Sequence, residues 1–322
     1  MTASWPDEVD RVLEGDLTAG VAYVTPAGGS VVTAVAPIGL RDREGGTVGF
    51  TTSLGLSRKL ERIAREPRVA LAYHARKHGF YEGPGYVLVQ GDAAITLEPD
   101  ERYLQEELGP RADRYLGARK SGFFWDRWLR EYYRDRVPVE VKVRRMVFWP
   151  ELDCRGEPAV YGEPLPAEPP PSQPPPKGGI AARVNCERAV RAIGRLSYVL
   201  LAYRGADGYP VVVPVEMTGG AAEGLMVSAA PGLLPQGGRR AGLLAHDYQE
   251  QLKGIAARQH TGWLSVDERG AVYAPHTEQG FRAPANKTLL LLANGLLAKR
   301  GLRKAERDGT LERLRAASRA DG

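Results

Sequence analysis

The stretch that decides the fold lies at residues 50–71 and reads FTTSLGLSRKLERIAREPRVAL. It opens as a strand that ends in Thr51 and Thr52, and a glycine-containing loop follows. Ser57 stands where the N-cap of a helix belongs, and Pro67 ends that helix. The segment is therefore predicted to run from strand to loop to short helix to strand.

The start of this helix has the chemistry of an anion-binding site. Free N–H groups of the first turn would lie beside the hydroxyls of Thr51, Thr52 and Ser57 and the cations of Arg58 and Lys59. These donors suit a phosphate, because helix N-termini and paired cations both stabilise negative charge. The alternative is an ordinary N-capped helix whose Arg58 and Lys59 point into water.

Two hairpin patterns of equal length lie outside this stretch, one in each half of the chain. LTAGVAYVTPAGGSVVTAVAPI (17–38) and LSYVLLAYRGADGYPVVVPVEM (196–217) both alternate apolar residues and break at a glycine-containing turn. A third strand follows each hairpin, at 47–53 and at 224–230. The two halves therefore look like a divergent internal repeat.

The remaining patterns predict a mostly β protein. In the first half, strands are predicted at 68–75, 86–97 and 139–149, and Gly91 indicates a bend at a barrel corner. The aromatic-rich residues 100–136 predict a helical insert. Later strands are predicted at 260–266 and 271–275, and a basic helical tail at 286–320. Many strands with few short helices fit a small closed barrel better than a sandwich.

A proline-rich segment divides the chain into two domains. Residues 157–179 hold nine of the 24 prolines and almost nothing that could be buried. We expect a linker, either a semi-rigid polyproline II spacer or a disordered tether. The predicted domains are a first barrel at 1–156 and a second, divergent barrel with a C-terminal helix at 180–322.

Composition and charge narrow the class of protein. The chain has 322 residues, 43% of them hydrophobic, and a formal net charge of +5 spread over interleaved acids and bases. This charge balance suits anionic small ligands about as much as nucleic acid. No nucleic-acid partner is expected, because the basic C-terminal helix carries acids among its cations. No apolar stretch is long enough for a bilayer span and no signal peptide is visible, so a cytoplasmic location without a membrane partner is expected. Cys154 and Cys186 are expected to be reduced thiols.

The order of these elements resembles the pyridoxamine 5′-phosphate oxidase-like, FMN-binding split-barrel superfamily. The resemblance covers residues 8–97 and extends to 139–149. It rests most on Phe50-Thr51-Thr52 and the following Ser57-Arg58-Lys59. In that family the matching segment holds the flavin phosphate. The resemblance therefore implies that the cofactor-binding residues are Thr51, Thr52, Ser57, Arg58 and Lys59.

The second half resembles the same fold in outline. Its matching loop at 228–244 is longer, lacks the threonines and the serine, and keeps only Arg239 and Arg240 as paired cations. In the family, cofactors lie between the two barrels of a homodimer. The resemblance implies an intramolecular pseudo-dimer of two split barrels, with further homo-oligomerisation left open. One phosphate site in the first barrel is expected, and a second site at Arg239 and Arg240 is an alternative.

The resemblance also implies a function. It is that of an FMN-binding oxidoreductase with a small-molecule redox substrate that the sequence does not identify. A deazaflavin coenzyme is the close alternative, and a haem-binding variant of the fold exists. A different class of function is a non-catalytic carrier of flavin or haem, or a scaffold. The sequence names no catalytic acid or base, and the motifs of the vitamin-converting oxidase itself are not all matched.

Two further segments have competing interpretations. His74 and His78 are spaced by one helical turn, which would suit a metal site, but the strand pattern before them favours polar loop residues without a metal. Residues 238–263 concentrate polar groups around a predicted helix. That helix would either face the flavin or pack as an amphipathic surface helix.

Overall fold

A computed structural model of the chain describes residues 4–118, 122, 127 and 136–320. The fold is mostly β, as predicted, and contains two antiparallel sheets. The first half comprises α1 (Asp7–Gly15), β1 (Ala19–Val24), β2 (Ser30–Val35), β3 (Arg41–Asp42), β4 (Thr47–Ser53), α2 (Ser57–Arg65), β5 (Arg68–Tyr73), β6 (Tyr86–Ile95), α3 (Gly109–Leu116), β7 (Arg136–Trp149) and β8 (Ala159–Gly162). The second half comprises α4 (Cys186–Ile193), β9 (Tyr198–Arg204), β10 (Pro210–Pro214), β11 (Glu216–Ala221), β12 (Gly224–Ser228), β13 (Gly237–Asp247), β14 (Ala256–Asp267), β15 (Gly270–Arg282), α5 (Lys287–Arg307) and α6 (Thr310–Ala320).

The two sheets have the same strand order. The first runs β2-β1-β5-β6-β7-β4-β3, with β8 added beside β7, and the second runs β10-β9-β13-β14-β15-β12-β11. An isolated bridge between Ala36 and Thr51 joins the end of the first hairpin to β4 and brings the first sheet back upon itself. These are two split barrels of one topology, which the matching hairpins predicted.

Glycine bends both barrels at the same place. The register between β6 and β7 shifts at Gln90 and Gly91, and the register between β14 and β15 shifts at Thr261 and Gly262. A Cβ at Gly91 would lie 2.1 Å from the carbonyl oxygen of Lys142, so a side chain cannot fit there without moving backbone. The predicted bend at Gly91 is therefore a β-bulge.

The barrels pack on each other through strands that are apolar on both faces. All of β1 is buried, because Val21 and Tyr23 face the core of their own barrel while Gly20 and Ala22 face the other barrel. A Cβ at Gly20 would lie 2.5 Å from Leu200 Cδ1, so the close approach of the barrels requires glycine there. The buried interface cluster consists of Ala22, Val32, Ala70, Ala72, Tyr86, Leu88, Val147, Trp149, Cys154, Leu200, Ala202, Val212 and Leu244.

A pseudo-twofold axis relates the two barrels. Tyr23 and Tyr203 each face their own core, and their partners across the sheet are Val69 and Ala241. His74 follows Val69 by the same number of residues as His246 follows Ala241, so the two histidines occupy equivalent positions. Their Nε2 atoms lie 2.7 Å apart. A residue that contacts its own counterpart lies on the axis, as in the isologous interface of a dimer. The chain is therefore a pseudo-dimer within one polypeptide.

One predicted helix is wrong. Residues 238–263 form the hairpin of β13 and β14 instead, with β13 paired to β9 on its other edge. The segment GRRAGLLAHD has few β-branched residues, so local propensity favours a helix there, but ladder pairing on both edges outweighs it. Consequently Arg239 and Arg240 lie in a strand and not in a loop.

The structure describes the insert in part and the linker in full. Within the predicted insert, Tyr103–Leu108 form a π-helical turn that leads into α3. The other predicted helical residues at 119–121, 123–126 and 128–135 lie outside the described residues. The linker begins as a strand, because β8 pairs with β7. In the described chain, no helix is long and apolar enough to cross a membrane.

Candidate functional site

A cavity of about 680 Å³ lies between the start of α2 and the second barrel. Its first wall is formed by α2 with the preceding 3₁₀ turn (Leu54–Leu56) and by the side chains of the first hairpin that face their own barrel. Its second wall comes from β14 and β15, and its third from the junction of α5 and α6. The lining residues used below are Tyr23, Val31, Thr33, Leu56, Ser57, Arg58, Lys59, Glu61, Arg62, Gln259, Thr261, Thr277, Glu278, Gly301, Lys304, Asp308, Thr310 and Arg313.

Lys59 is the residue that gives this cavity its chemistry. The side chain is only 8% exposed, and its Nζ lies 5.6 Å from the centre of the Phe50 ring. Burial lowers the pKa of Lys59 to about 8. Within the described part of the chain, its ammonium group has no hydrogen-bond or ion-pair partner. Burying a charge without a partner costs free energy, so an anion in the cavity would stabilise the protonated form of Lys59.

Ser57 and Arg58 lie beside Lys59 on the cavity wall, as the sequence motif predicted. Their helical context differs from the prediction, because Ser57 is the first residue of α2 and not its N-cap. The hydroxyl of Ser53 instead accepts a hydrogen bond of 3.1 Å from Gly55 N at the start of the 3₁₀ turn. The Ser57 hydroxyl is thus not used as a cap, and the exposed Arg58 adds a second positive charge.

Thr51 and Thr52 do not line this cavity. They alternate along β4, so their side chains leave the strand on opposite faces. Thr51 Oγ1 accepts a hydrogen bond of 2.9 Å from Arg136 Nη1 and borders a separate cavity of about 430 Å³. Thr52 Oγ1 is buried without a hydrogen-bond partner. The structure therefore brings together Ser57, Arg58 and Lys59, but not the two threonines.

The second barrel adds polar groups that the sequence analysis missed. Gln259 Nε2 donates a hydrogen bond of 2.8 Å to Val32 O, which ties β14 to the first hairpin. The hydroxyls of Thr261 and Thr277 lie 2.6 Å apart on neighbouring strands. Both threonines line the cavity opposite α2. No sequence motif surrounds these two threonines, because they reach the cavity only through the packing of the two barrels.

The cavity has an excess of positive charge once its ion pairs are counted. The acidic side chains that line the cavity already have hydrogen-bond partners. Glu61 accepts a hydrogen bond of 2.8 Å from Arg313, and Glu278 accepts one of 2.9 Å from Arg188. Asp308 accepts from the Thr310 hydroxyl at 2.6 Å. In contrast, the structure as described gives no ion pair for four lining cations, which are Arg58, Lys59, Arg62 and Lys304.

Arg239 and Arg240 lie away from this cavity and are bound to the linker. The buried Arg239 donates hydrogen bonds to Pro170 O at 3.1 Å and to Gln236 O at 2.5 Å. The Arg240 backbone N donates to Gln173 Oε1 at 3.0 Å. These contacts fix the proline-rich segment against β13, which is a structural use of both arginines.

The pseudo-symmetric counterpart of the cavity is filled. Tyr203 corresponds to Tyr23, and its hydroxyl donates to Leu233 O at 2.7 Å while the Arg239 guanidinium covers its ring. On the opposite wall, Arg145 Nε donates to Gln90 Oε1 at 2.6 Å, and Arg145 also pairs with Asp207. Between β12 and β13, where every residue is described, no helix corresponds to α2, and Leu233 and Leu234 of this loop pack against the core instead.

His74 and His78 do not lie together on one helical face, which was the less favoured interpretation of their spacing. His74 is paired with His246 across the pseudo-twofold axis, whereas His78 lies in a turn with a positive φ of 61°. His74 Nδ1 lies 2.9 Å from Ala72 O, so it donates there and Nε2 accepts from His246. Among the residues described, no group of three or more His, Cys, Asp or Glu side chains is arranged to hold a metal ion.

Comparisons with known proteins add structural likeness only. No protein-family model and no curated protein sequence matches the chain. A conserved hypothetical protein from Mycobacterium tuberculosis is 21% identical, with 46% of this chain and 87% of that chain covered and a TM-score of 0.35. A pyridoxamine 5′-phosphate oxidase-related, FMN-binding protein from Nostoc punctiforme is 12% identical, with 46% and 87% covered and a TM-score of 0.28. A haem-binding protein from Mycobacterium smegmatis is 16% identical, with 93% and 99% covered and a TM-score of 0.31. At these identities the likeness concerns the fold alone.

Proposed function

We propose that this protein, which has the architecture of the pyridoxamine 5′-phosphate oxidase-like split barrels, binds FMN in the cavity between its two barrels and acts as a flavin-dependent oxidoreductase. The observation that carries the proposal is the buried Lys59, whose ammonium group borders the cavity and has no partner among the described residues. A terminal phosphate would supply the missing negative charge.

The residues present fit FMN in size and in chemistry. The cavity of about 680 Å³ falls within the range of about 300–1,000 Å³ that is usual for small-molecule sites. Ser57, Arg58 and Lys59 supply a hydroxyl and two cations for the phosphate. Tyr23 and Val31 provide an aromatic and apolar wall against which a flat ring can pack.

Haem fits the same cavity less well. No histidine is among the residues that line it, so the described wall offers no imidazole as an axial ligand. A deazaflavin coenzyme also carries phosphate and would use the same cations. FMN is preferred because the Ser57-Arg58-Lys59 segment, whose family counterpart holds the flavin phosphate, lies on the cavity wall.

The protein's own groups would bind, orient and shield the cofactor. When bound, FMN supplies the hydride or electron transfer. Lys59 and Arg58 hold the phosphate, and occupation of the site keeps Lys59 protonated because the anion raises its lowered pKa. Thr261 and Thr277 present hydroxyls from the opposite wall. The redox substrate is a small molecule, and a non-catalytic flavin carrier is the alternative that turnover assays distinguish.

The test is FMN binding by a matched pair of variants. Lys59→Met should weaken FMN binding at least tenfold, because a charge-assisted contact contributes about 1.5–3 kcal/mol and 1.4 kcal/mol is a factor of ten. Arg65→Gln removes one positive charge from the exposed C-terminal end of the same helix and should change affinity less than about twofold. Equal affinities of both variants and wild type would remove the α2 motif from the site.

Turnover separates the enzyme from the carrier. The FMN-loaded protein should oxidise a reduced nicotinamide in the presence of a generic electron acceptor. Tight FMN binding without turnover over a panel of acceptors would support the carrier function and contradict the oxidoreductase.

A further inference from the structure

The C-terminal helices return to the phosphate motif of the first barrel. A Cβ at Gly301 of α5 would lie 2.5 Å from Gly55 Cα, so the helix packs directly on the turn that precedes α2. Ala305, Leu311 and Leu314 are buried in the core of the first barrel. The α5–α6 segment is therefore an integral wall of the cavity, although it follows the second barrel in the chain.

This wall carries one cation without an ion-pair partner. Arg313 is held by Glu61, and Asp308 by the Thr310 hydroxyl, so these groups fix the junction of the helices. Lys304 lies one turn before the junction, borders the cavity and makes no ion pair within 4 Å of any described residue. The Thr310 hydrogen bond lowers the pKa of Asp308, and the nearby charge of Lys304 helps to lower it. Lys304 is exposed, so its side chain is free to move toward a bound anion.

We propose that Lys304 is a ligand-binding residue that recognises the terminal phosphate monoester together with Lys59, so that the C-terminal helices complete the site built by the first barrel. The inference rests on the proposed function. A phosphate monoester carries a charge of about −1.5 to −2 at neutral pH, and the buried Lys59 and the exposed Arg58 offer their positive charge from one wall only. Lys304 supplies positive charge from the wall that faces the α2 motif.

The proposal restricts the ligand class. A site with cations on two walls favours a ligand that ends in a dianionic phosphate monoester over one that ends in an uncharged hydroxyl. FMN and riboflavin share the ring and the ribityl chain but differ in this phosphate. Their difference in affinity therefore measures phosphate recognition separately from ring packing.

The test compares Lys304→Gln with Arg303→Gln, which removes the same charge from the neighbouring exposed position of α5 and outside the cavity lining. FMN and riboflavin affinities are measured for each by titration at low salt. We expect Lys304→Gln to weaken FMN binding about fivefold and leave riboflavin unchanged, with Lys304→Arg restoring FMN affinity. Arg303→Gln should change neither ligand more than about twofold.

The possible failures are distinguishable. Unchanged FMN affinity in Lys304→Gln would overturn the inference, as would equal losses for FMN and riboflavin, which indicate a merely structural role. If Lys59→Met weakens FMN binding while Lys304→Gln does not, the inference fails and the proposed function stands. If wild-type protein binds no FMN, both fail together.

Discussion

Lys59 shows how one residue can carry a site. The other cation of the α2 motif, Arg58, is exposed, whereas Lys59 is buried beside Phe50 and its pKa is lowered to about 8 by the loss of water. In the proposed function, an anion in the cavity would offset the free-energy cost of this buried charge. This residue was predictable from the sequence, because the Ser-Arg-Lys motif is local. Its burial was not, because the wall around it comes from β14 and the C-terminal helices.

The His74–His246 pair predicts an acid-labile interface. Burial lowers the pKa of His74 to about 4 and that of His246 well below its usual value. Below the ordinary histidine pKa of about 6.5, both histidines are protonated in the unfolded chain but stay neutral in the folded chain. The free energy of unfolding therefore decreases as the pH falls through this range. Each histidine contributes up to about 1.4 kcal/mol per pH unit in that range.

Urea unfolding at pH 7 and pH 5 measures this effect. The wild type should lose more stability between the two values than the double variant His74→Gln, His246→Gln, by about 1 kcal/mol or more. Other groups that face the pair, which are Tyr198, Tyr248 and the Asp16–Arg76 ion pair, are common to both proteins and cancel in the difference. Equal pH dependence would show that the pair does not control acid stability.

At the scale of elements, local signals predicted α2 and most strands. β4 was predicted as the third strand after the first hairpin and β5 as the strand after α2, and Pro67 marked the end of the helix between them. β13 was missed because its glycines, alanines and leucines have little strand propensity, and only its partners on both edges make it a strand. The candidate site follows the same rule. The local motif indicated that Ser57, Arg58 and Lys59 lie together, whereas Thr261, Thr277 and Lys304 reach the cavity only through packing between distant elements.

The contact of α5 with the turn before α2 predicts a sensitive glycine. Gly301→Ala places a methyl group 2.5 Å from Gly55 Cα, so backbone must shift. We expect a loss of about 1–3 kcal/mol in unfolding free energy, as for other overpacked contacts, together with weaker FMN binding. In Gly219→Ala the nearest atom to the new methyl group is Met226 Sδ at 3.5 Å, so this control should bind FMN as the wild type does. Thermal melting and FMN titration provide both readouts, and a fully tolerated Gly301→Ala would contradict the close packing.

At the scale of the whole molecule, the chain is a pseudo-dimer that has become asymmetric. The first half keeps a helix after its third strand and an open cavity beside it. In the second half, Leu233, Arg239 and the linker at Pro170 occupy the corresponding place. The common strand order was predictable from the paired hairpins, but the filling of one site was not, because it depends on where the linker packs.

This asymmetry predicts one FMN per chain. Isothermal titration of the purified protein should give a stoichiometry near one, because Arg239 is committed to carbonyl groups of the linker and loop. A stoichiometry of two would show that the filled position opens and that Arg239 and Arg240 form a second site.

The most direct measurement is a crystal structure of the protein grown with FMN. The phosphate should lie at the start of α2, within hydrogen-bond distance of Lys59 Nζ and beside Ser57, with the ring directed toward Tyr23 and the second barrel. FMN bound with its phosphate elsewhere, such as in the cavity beside Thr51 and Arg136, would contradict the assignment of the site.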